Sequence, residues 1–172
     1  IGCELAACQV LEDLKISHTL SVLGFTPHEC SLAEAVICGR LISPGSDLHT
    51  WRWIRNQSAI GEICSPNLSK VGRNAVYAIS DKLYENKAAL EKHLLTQANK
   101  LYPKRDFIYL FDITNFHLEG QALDNEIAAR GKSKQKRNDC PLISLALIVD
   151  SDGFPVSSKV YKGNISEPQT LK

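Results

Sequence analysis

Apolar residues along the first hundred positions recur at helical spacing. ELAACQVLEDLK and LAEAVICGRLI each carry a stripe of period 3.6. Ser46 is placed to cap DLHTWRWIRNQSAI, whose Leu48, Trp51 and Ile54 fall on one side. Val76, Ile79 and Leu83 form a further stripe, and Leu90, Leu94, Leu95, Ala98 and Leu101 another, which Pro103 ends. At Lys104-Arg105-Asp106 the period falls to two. FIYLFDIT sets Ile108, Leu110 and Asp112 on one face and Tyr109, Phe111 and Ile113 on the other, so both faces are apolar and the spacing predicts a central strand. LISLALIV reads the same way. After an Asp-Gly turn in VDSDGFPV, Val156, Ser158 and Val160 alternate against Ser157, Lys159 and Tyr161, the pattern of a half-exposed edge strand. The fold class expected is α+β: a helical region over 1–105, then strands that begin a second domain over 106–172.

Composition changes this picture little. With 44% hydrophobic and 23% charged residues the chain belongs among globular proteins rather than disordered ones. The run at 142–149 is too short to span a bilayer and no signal-peptide core opens the chain, so no membrane partner is expected and a cytoplasmic location is the default. Six cysteines without a C-x-x-C pair read as reduced, mostly buried thiols. The absence of methionine, and a helix start at Ser166-Glu167-Pro168 that goes no further, suggest a piece of a longer protein.

Charge does change it. From Asp106 onward there are eight basic and nine acidic residues, and Arg130, Lys132, Lys134, Lys136 and Arg137 are five of the eight. A basic spot on an acidic background suits a local phosphate contact. Its bland alternative, a solvated loop, is equally compatible with composition. Asp112 ends an apolar run, where an unpaired carboxylate costs several kcal/mol or more if desolvated, so it is expected to have a partner or a task. If its strand pairs antiparallel with 142–149, Asp112 lies level with Pro141, and the turn Asp150-Ser151-Asp152-Gly153 is about 20 Å away at the other end. Asp150 and Asp152 then serve the turn rather than a shared metal. The basic loop and the Gly163-Asn164 turn share the Asp112 end, an arrangement that fits an enzyme acting on phosphodiesters, with Asp112 holding Mg²⁺ and the cations placing the backbone. Trp51 and Trp53 read as helix packing rather than base stacking, and His117 as incidental.

FDITN-x-x-x-EG at 111–120, N-x-x-A-x-RG-x-SK-x-x-R-x-DCP at 125–141, LALIVD-x-x-GFP at 145–155 and V-x-x-GN-x-SE-x-x-TL at 160–171 closely resemble the DDE transposases of bacterial insertion sequences, in the insertion-sequence-four-like superfamily. GRLISPGSDLHTWRWIRNQSAIGE also resembles the region before the catalytic core in one branch of that group. The resemblance implies a ribonuclease-H-like domain beginning near Asp106, with Asp112 as the first catalytic, metal-binding aspartate. It implies Mg²⁺ as cofactor, with Mn²⁺ able to substitute, and cutting and joining of phosphodiesters by a two-metal mechanism. The implied partners are double-stranded DNA, as terminal inverted repeats and target, and a second copy in a full-length homodimer. The pattern departs at Phe116, His117 and Leu118. The second aspartate and the glutamate are expected beyond Lys172, and neither Glu119 nor Glu167 replaces them. Phosphatases of the haloacid-dehalogenase type also open on a strand ending in Asp, but they need a second Asp where Thr114 stands, and a helix next. The competing non-enzymatic expectation is an inactive remnant that at most binds DNA.

Overall fold

The structure is a computed structural model that describes residues 2–63, 68, 70–102, 109–123, 125–131, 137 and 139–165. Among the described residues seven α-helices precede three strands: α1 (Gly2–Asp13), α2 (Ile16–Val22), α3 (Pro27–Ile42), α4 (Asp47–Asn56), α5 (Ile60–Ile63), α6 (Arg73–Glu85), α7 (Lys87–Leu101), β1 (Tyr109–His117), β2 (Leu142–Asp150) and β3 (Pro155–Lys162). The chain divides into two compact units, Ile1–Gln97 and Ala98–Lys172. Among the described residues no helix is long and apolar enough to cross a membrane.

In the helical unit α3 packs against α1, α2, α4 and α6. Its start is fixed by a reciprocal cap. Glu29 N donates to Thr26 Oγ1 at 3.3 Å while Thr26 N donates to Glu29 Oε2 at 2.7 Å, with Pro27 in the first turn. Ala33, Ala35 and Cys38 on α3 are fully buried, and with Leu20, Ile60 and Val76 they belong to one continuous core. Gly39 sets the approach of α4. A methyl group there would lie 2.9 Å from Thr50 Cγ2 and 3.2 Å from Trp53 Cε3, so only a glycine lets those side chains seat against α3.

That close approach corrects the sequence expectation for α4. Its buried residues are Thr50, Trp53 and Ile54, whereas Leu48 and Trp51 are half-buried. Ser46 does cap α4, accepting from His49 N at 3.2 Å. The stripe expected on α6 is inward, with Val76 and Ile79 buried. The α7 stripe is not: no α7 residue is buried, and of its leucines Leu90 packs against the core while Leu101 is 65% exposed. Cys30, Cys38 and Cys140 are buried free thiols, while Cys3 is exposed. Burial pushes the Cys38 thiol up to about 12, so it stays protonated.

The three strands form one antiparallel sheet in the order β1-β2-β3. The central strand is therefore β2, and β1, expected to be central, has a neighbour on one side only among the described residues. β1 also runs past Asp112 to His117, in register with Leu142. One face of β2 is buried through Leu142, Ser144, Ala146 and Asp150. Ser144 Oγ donates across to Asn115 Oδ1 at 2.9 Å, which satisfies a hydroxyl that is only 1% exposed. The hairpin closes at Asp150, whose Oδ1 accepts from Asp152 N at 3.1 Å and Phe154 N at 2.8 Å. Gly153 takes the positive φ of 85° that the turn requires. The register shifts between Ile148 and Val149, where β3 carries one extra residue, Val156.

Candidate functional site

Asp112 pairs with Leu147, three residues from the Tyr109–Asp150 end of the ladder and five from the His117–Leu142 end. Along the strands that is roughly 10 Å and 17 Å respectively. The expectation that Asp112 lies level with Pro141, about 20 Å from the hairpin, is overturned, because β1 continues through Thr114, Asn115, Phe116 and His117. Asp150 nonetheless cannot share an ion with it. Side chains alternate along a strand, which puts Asp112 with Leu110, Thr114 and Phe116 on one face and Asp150 on the other. Asp150 also spends its carboxylate on the turn, as expected for it.

Asp112 is exposed, as are Leu110 and Phe116 on the same face, at 60% and 48%. A solvated carboxylate carries no large desolvation penalty, so the burial argument that demanded a partner for Asp112 lapses. Among the described residues it forms no hydrogen bond and no ion pair. Its oxygens are therefore available. One carboxylate is still far from a Mg²⁺ or Mn²⁺ site, since Mg²⁺ takes near-octahedral oxygen coordination. Among the described residues no group of three or more His, Cys, Asp or Glu is arranged to hold a metal. The described residues alone do not fit the ion.

The far end of the sheet is built by close backbone packing. Leaving β1, Leu118 N donates to Pro141 O at 2.8 Å, so the loop is closed at its base. Asn125 then organises a turn, its Oδ1 accepting from Ile127 N and Ala128 N, both at 3.2 Å. Ala129 and Leu142 exchange backbone hydrogen bonds of 3.1 and 3.0 Å, and Gly163 N donates to Ile127 O at 3.1 Å. Gly163 is enclosed: a methyl group there would sit 1.8 Å from Leu142 O and 2.8 Å from Ala129 O. One on Gly131 would sit 2.5 Å from Gly163 O. The Arg-Gly and Gly-Asn motifs are thus two halves of one packed junction at the His117–Leu142 end of the sheet, five residues along β1 from Asp112 rather than level with it as expected.

Of the five predicted DNA-contacting cations, Lys132, Lys134 and Lys136 lie outside the described residues. Arg130 is exposed, carried between the bridged Ala129 and the packed Gly131. Arg137 is engaged by two carboxylates. Its Nε donates to Asp139 Oδ1 at 3.0 Å, its Nη2 to Asp139 Oδ2 at 2.5 Å, and its Nη1 to Glu119 Oε1 at 3.1 Å. The guanidinium hydrogen bonds hold the Asp139 carboxyl down at about 2 and raise Arg137 further above its already high value. A phosphate would have to displace one of these partners to reach Arg137. The sequence reading missed this pairing because Glu119 lies 18 positions away. In comparisons with protein-family models, characterised proteins and solved structures, nothing matched the chain.

Proposed function

We propose that this chain is the N-terminal and early catalytic-core part of a DDE-type DNA transposase of the insertion-sequence-four-like superfamily, its sheet being the start of a ribonuclease-H-like domain. The observation that carries the reading is Asp112, an exposed carboxylate without a partner among the described residues, standing between the apolar Leu110, Phe111 and Ile113 of β1. A solvated strand-face aspartate stabilises nothing around it, and an oxygen ligand for a hard divalent cation has to be accessible in this way. When bound, Mg²⁺ would supply charge neutralisation at the phosphodiester. Asp112 contributes one ligand to such a site, and the described residues do not complete it.

The loop residues act on the DNA backbone rather than on its sequence. Arg130, Lys132, Lys134, Lys136 and Arg137 place phosphates by charge, with Arg137 exchanging Glu119 or Asp139 for a phosphate oxygen. Phosphoester hydrolysis by a haloacid-dehalogenase arrangement is disfavoured, because Thr114 replaces the acid/base aspartate and the next element is an antiparallel strand.

The test is metal-dependent nicking of a labelled insertion-sequence end by the protein encoded by the whole reading frame, beside its Asp112→Asn variant. The substitution should abolish nicking while leaving duplex binding largely intact, since it removes a ligand charge with almost no change of shape. Nicking by the variant would remove Asp112 from the site. Binding without nicking by the parent protein would leave a DNA-binding remnant.

A further inference from the structure

Two cysteines meet inside the helical unit, and neither the sheet nor its basic loop uses them. Helices α1 and α3 pack against each other. Glu4, Cys8 and Leu11 follow at helical spacing along the inward side of α1, with Glu4 and Leu11 buried and Cys8 half-buried against the core. On α3, Glu34 and Cys38 stand one turn apart, and Cys38 is fully buried. The Cys8 and Cys38 side chains are in hydrogen-bonding contact across this interface.

The two thiols differ in what can reach them. Cys38 has no exposed surface, and burial, the contact with Cys8 and the Glu34 and Glu4 carboxylates nearby all oppose its ionisation. On its own it is an inert thiol. Cys8, half-buried, meets small solutes at the rim of the interface. The two carboxylates favour an uncharged reagent there over an anionic one. Cys30, by contrast, turns its Sγ to the carbonyls of Ser17 and Phe25, each 3.8 Å away.

We infer that Cys8 and Cys38 form an oxidisable dithiol, in which hydrogen peroxide reacts at Cys8 and Cys38 resolves the product into a disulfide joining α1 to α3. The ionised Cys8 sulfur attacks one peroxide oxygen and the O–O bond breaks. The departing hydroxide takes up the proton that Cys8 released, which leaves a sulfenic acid and one water. The Cys38 sulfur then attacks the Cys8 sulfur, the S–O bond breaks, and the hydroxyl leaves with the Cys38 proton as a second water. Two thiols lose two electrons, and one peroxide is reduced to two waters. Because the leaving group carries off its proton, Cys38 reacts without standing as a thiolate in the core. The bond closes the chain from Cys8 to Cys38 around α2, so oxidation staples the first three helices together. The site lies wholly within the unit Ile1–Gln97 and is independent of the DNA-directed reading above.

The experiment treats the whole chain with hydrogen peroxide, quenches it with an alkylating reagent and maps its peptides by mass spectrometry. The exposed Cys3 gauges the dose in the parent, and Cys3→Ser variants remove it as a competing partner. A peptide pair joined through Cys8 and Cys38, lighter than its two parts by two hydrogens and separated by dithiothreitol, is expected. In Cys38→Ala the sulfenic acid should persist at Cys8 and be captured by dimedone. In Cys8→Ser, which changes only a half-buried position and should keep the fold, Cys38 should remain alkylatable after unfolding. The oxidised chain should unfold at higher urea than the reduced one, and that difference should vanish in either variant. Recovery of Cys38 as a thiol at a peroxide dose that consumes Cys3 overturns the inference. So does equal oxidation of Cys38 in the parent and in Cys8→Ser. A cross-link that leaves the urea midpoint unchanged overturns the staple.

Discussion

The two units solve the same problem of holding a chain together with different means. The helical unit buries a continuous set of aliphatic, aromatic and thiol side chains reaching from Leu11 to Ile79. In the sheet unit the described buried hydrophobics are Cys140, Leu142 and Ala146, while Leu110, Phe116, Leu123 and Ile127 are exposed at 60%, 48%, 82% and 41%. What fixes the sheet unit is the backbone: the ladder, the Ala129–Leu142 bridge and the enclosed Gly163. Stability in the first depends on side-chain volume, and in the second on room for main-chain atoms to meet.

Gly163→Ala should break the contrast most sharply. A methyl group 1.8 Å from Leu142 O cannot be absorbed by a rotamer change, so β3 or the loop must move. A loss on the order of 4 kcal/mol or more is expected in the sheet unit. Hydrogen exchange at the Ala129 and Leu142 amides should accelerate while α3 amides keep their protection. Retained protection at Leu142 would show that the junction is softer than its geometry.

The converse change is Leu20→Ala. Leu20 is fully buried in the helical core, and its truncation should cost about 3 kcal/mol there, from lost burial plus the cavity left behind. Denaturant unfolding followed by Trp53, which lies in the same core, reads it directly. A cost below about 1 kcal/mol would mean that the core collapses around the gap.

The smallest expected effect is electrostatic. Hydrogen bonds from Thr26 N and Lys82, whose Nζ lies 2.9 Å away, hold the Glu29 carboxyl at about 2 instead of its ordinary 4.5. A depressed carboxyl binds its proton more tightly in the unfolded chain. Its stabilisation is therefore complete above the unfolded value and is lost as pH falls from about 4.5 through about 2. The stability difference between the parent and Glu29→Gln should shrink across that window, and a difference independent of pH would assign the cap to geometry alone.

These sites differ in how visible they are in the sequence. The Ser46 cap is local, and the change of period near Asp106 announces the sheet because alternation is a property of neighbouring residues. The turn role of Asp150 was legible for the same reason. The end of β1 was not. Thr114, Asn115 and His117 give no strong local strand signal, and they remain in β1 because Leu142 to Leu145 are there to pair with them. Mistaking that end displaced Asp112 along the sheet. The inward turn of Thr50 and Trp53 was hidden likewise, since it depends on Gly39 in another helix. Nothing near Gly163 in the sequence announces Leu142 O.

The Ala129–Leu142 bridge divides the excursion between β1 and β2 into two lobes, one from Leu118 to Ala129 and one from Gly131 to Pro141. Each lobe is tied at its own base, and the Arg137–Glu119 ion pair is a further tie between them. Residues added between Gly131 and Arg137 leave all of these ties in place, and closure entropy grows only slowly with length, by about 0.6 kcal/mol per doubling. The basic segment can therefore lengthen, shorten or change composition over evolutionary time without shifting the register that places Asp112.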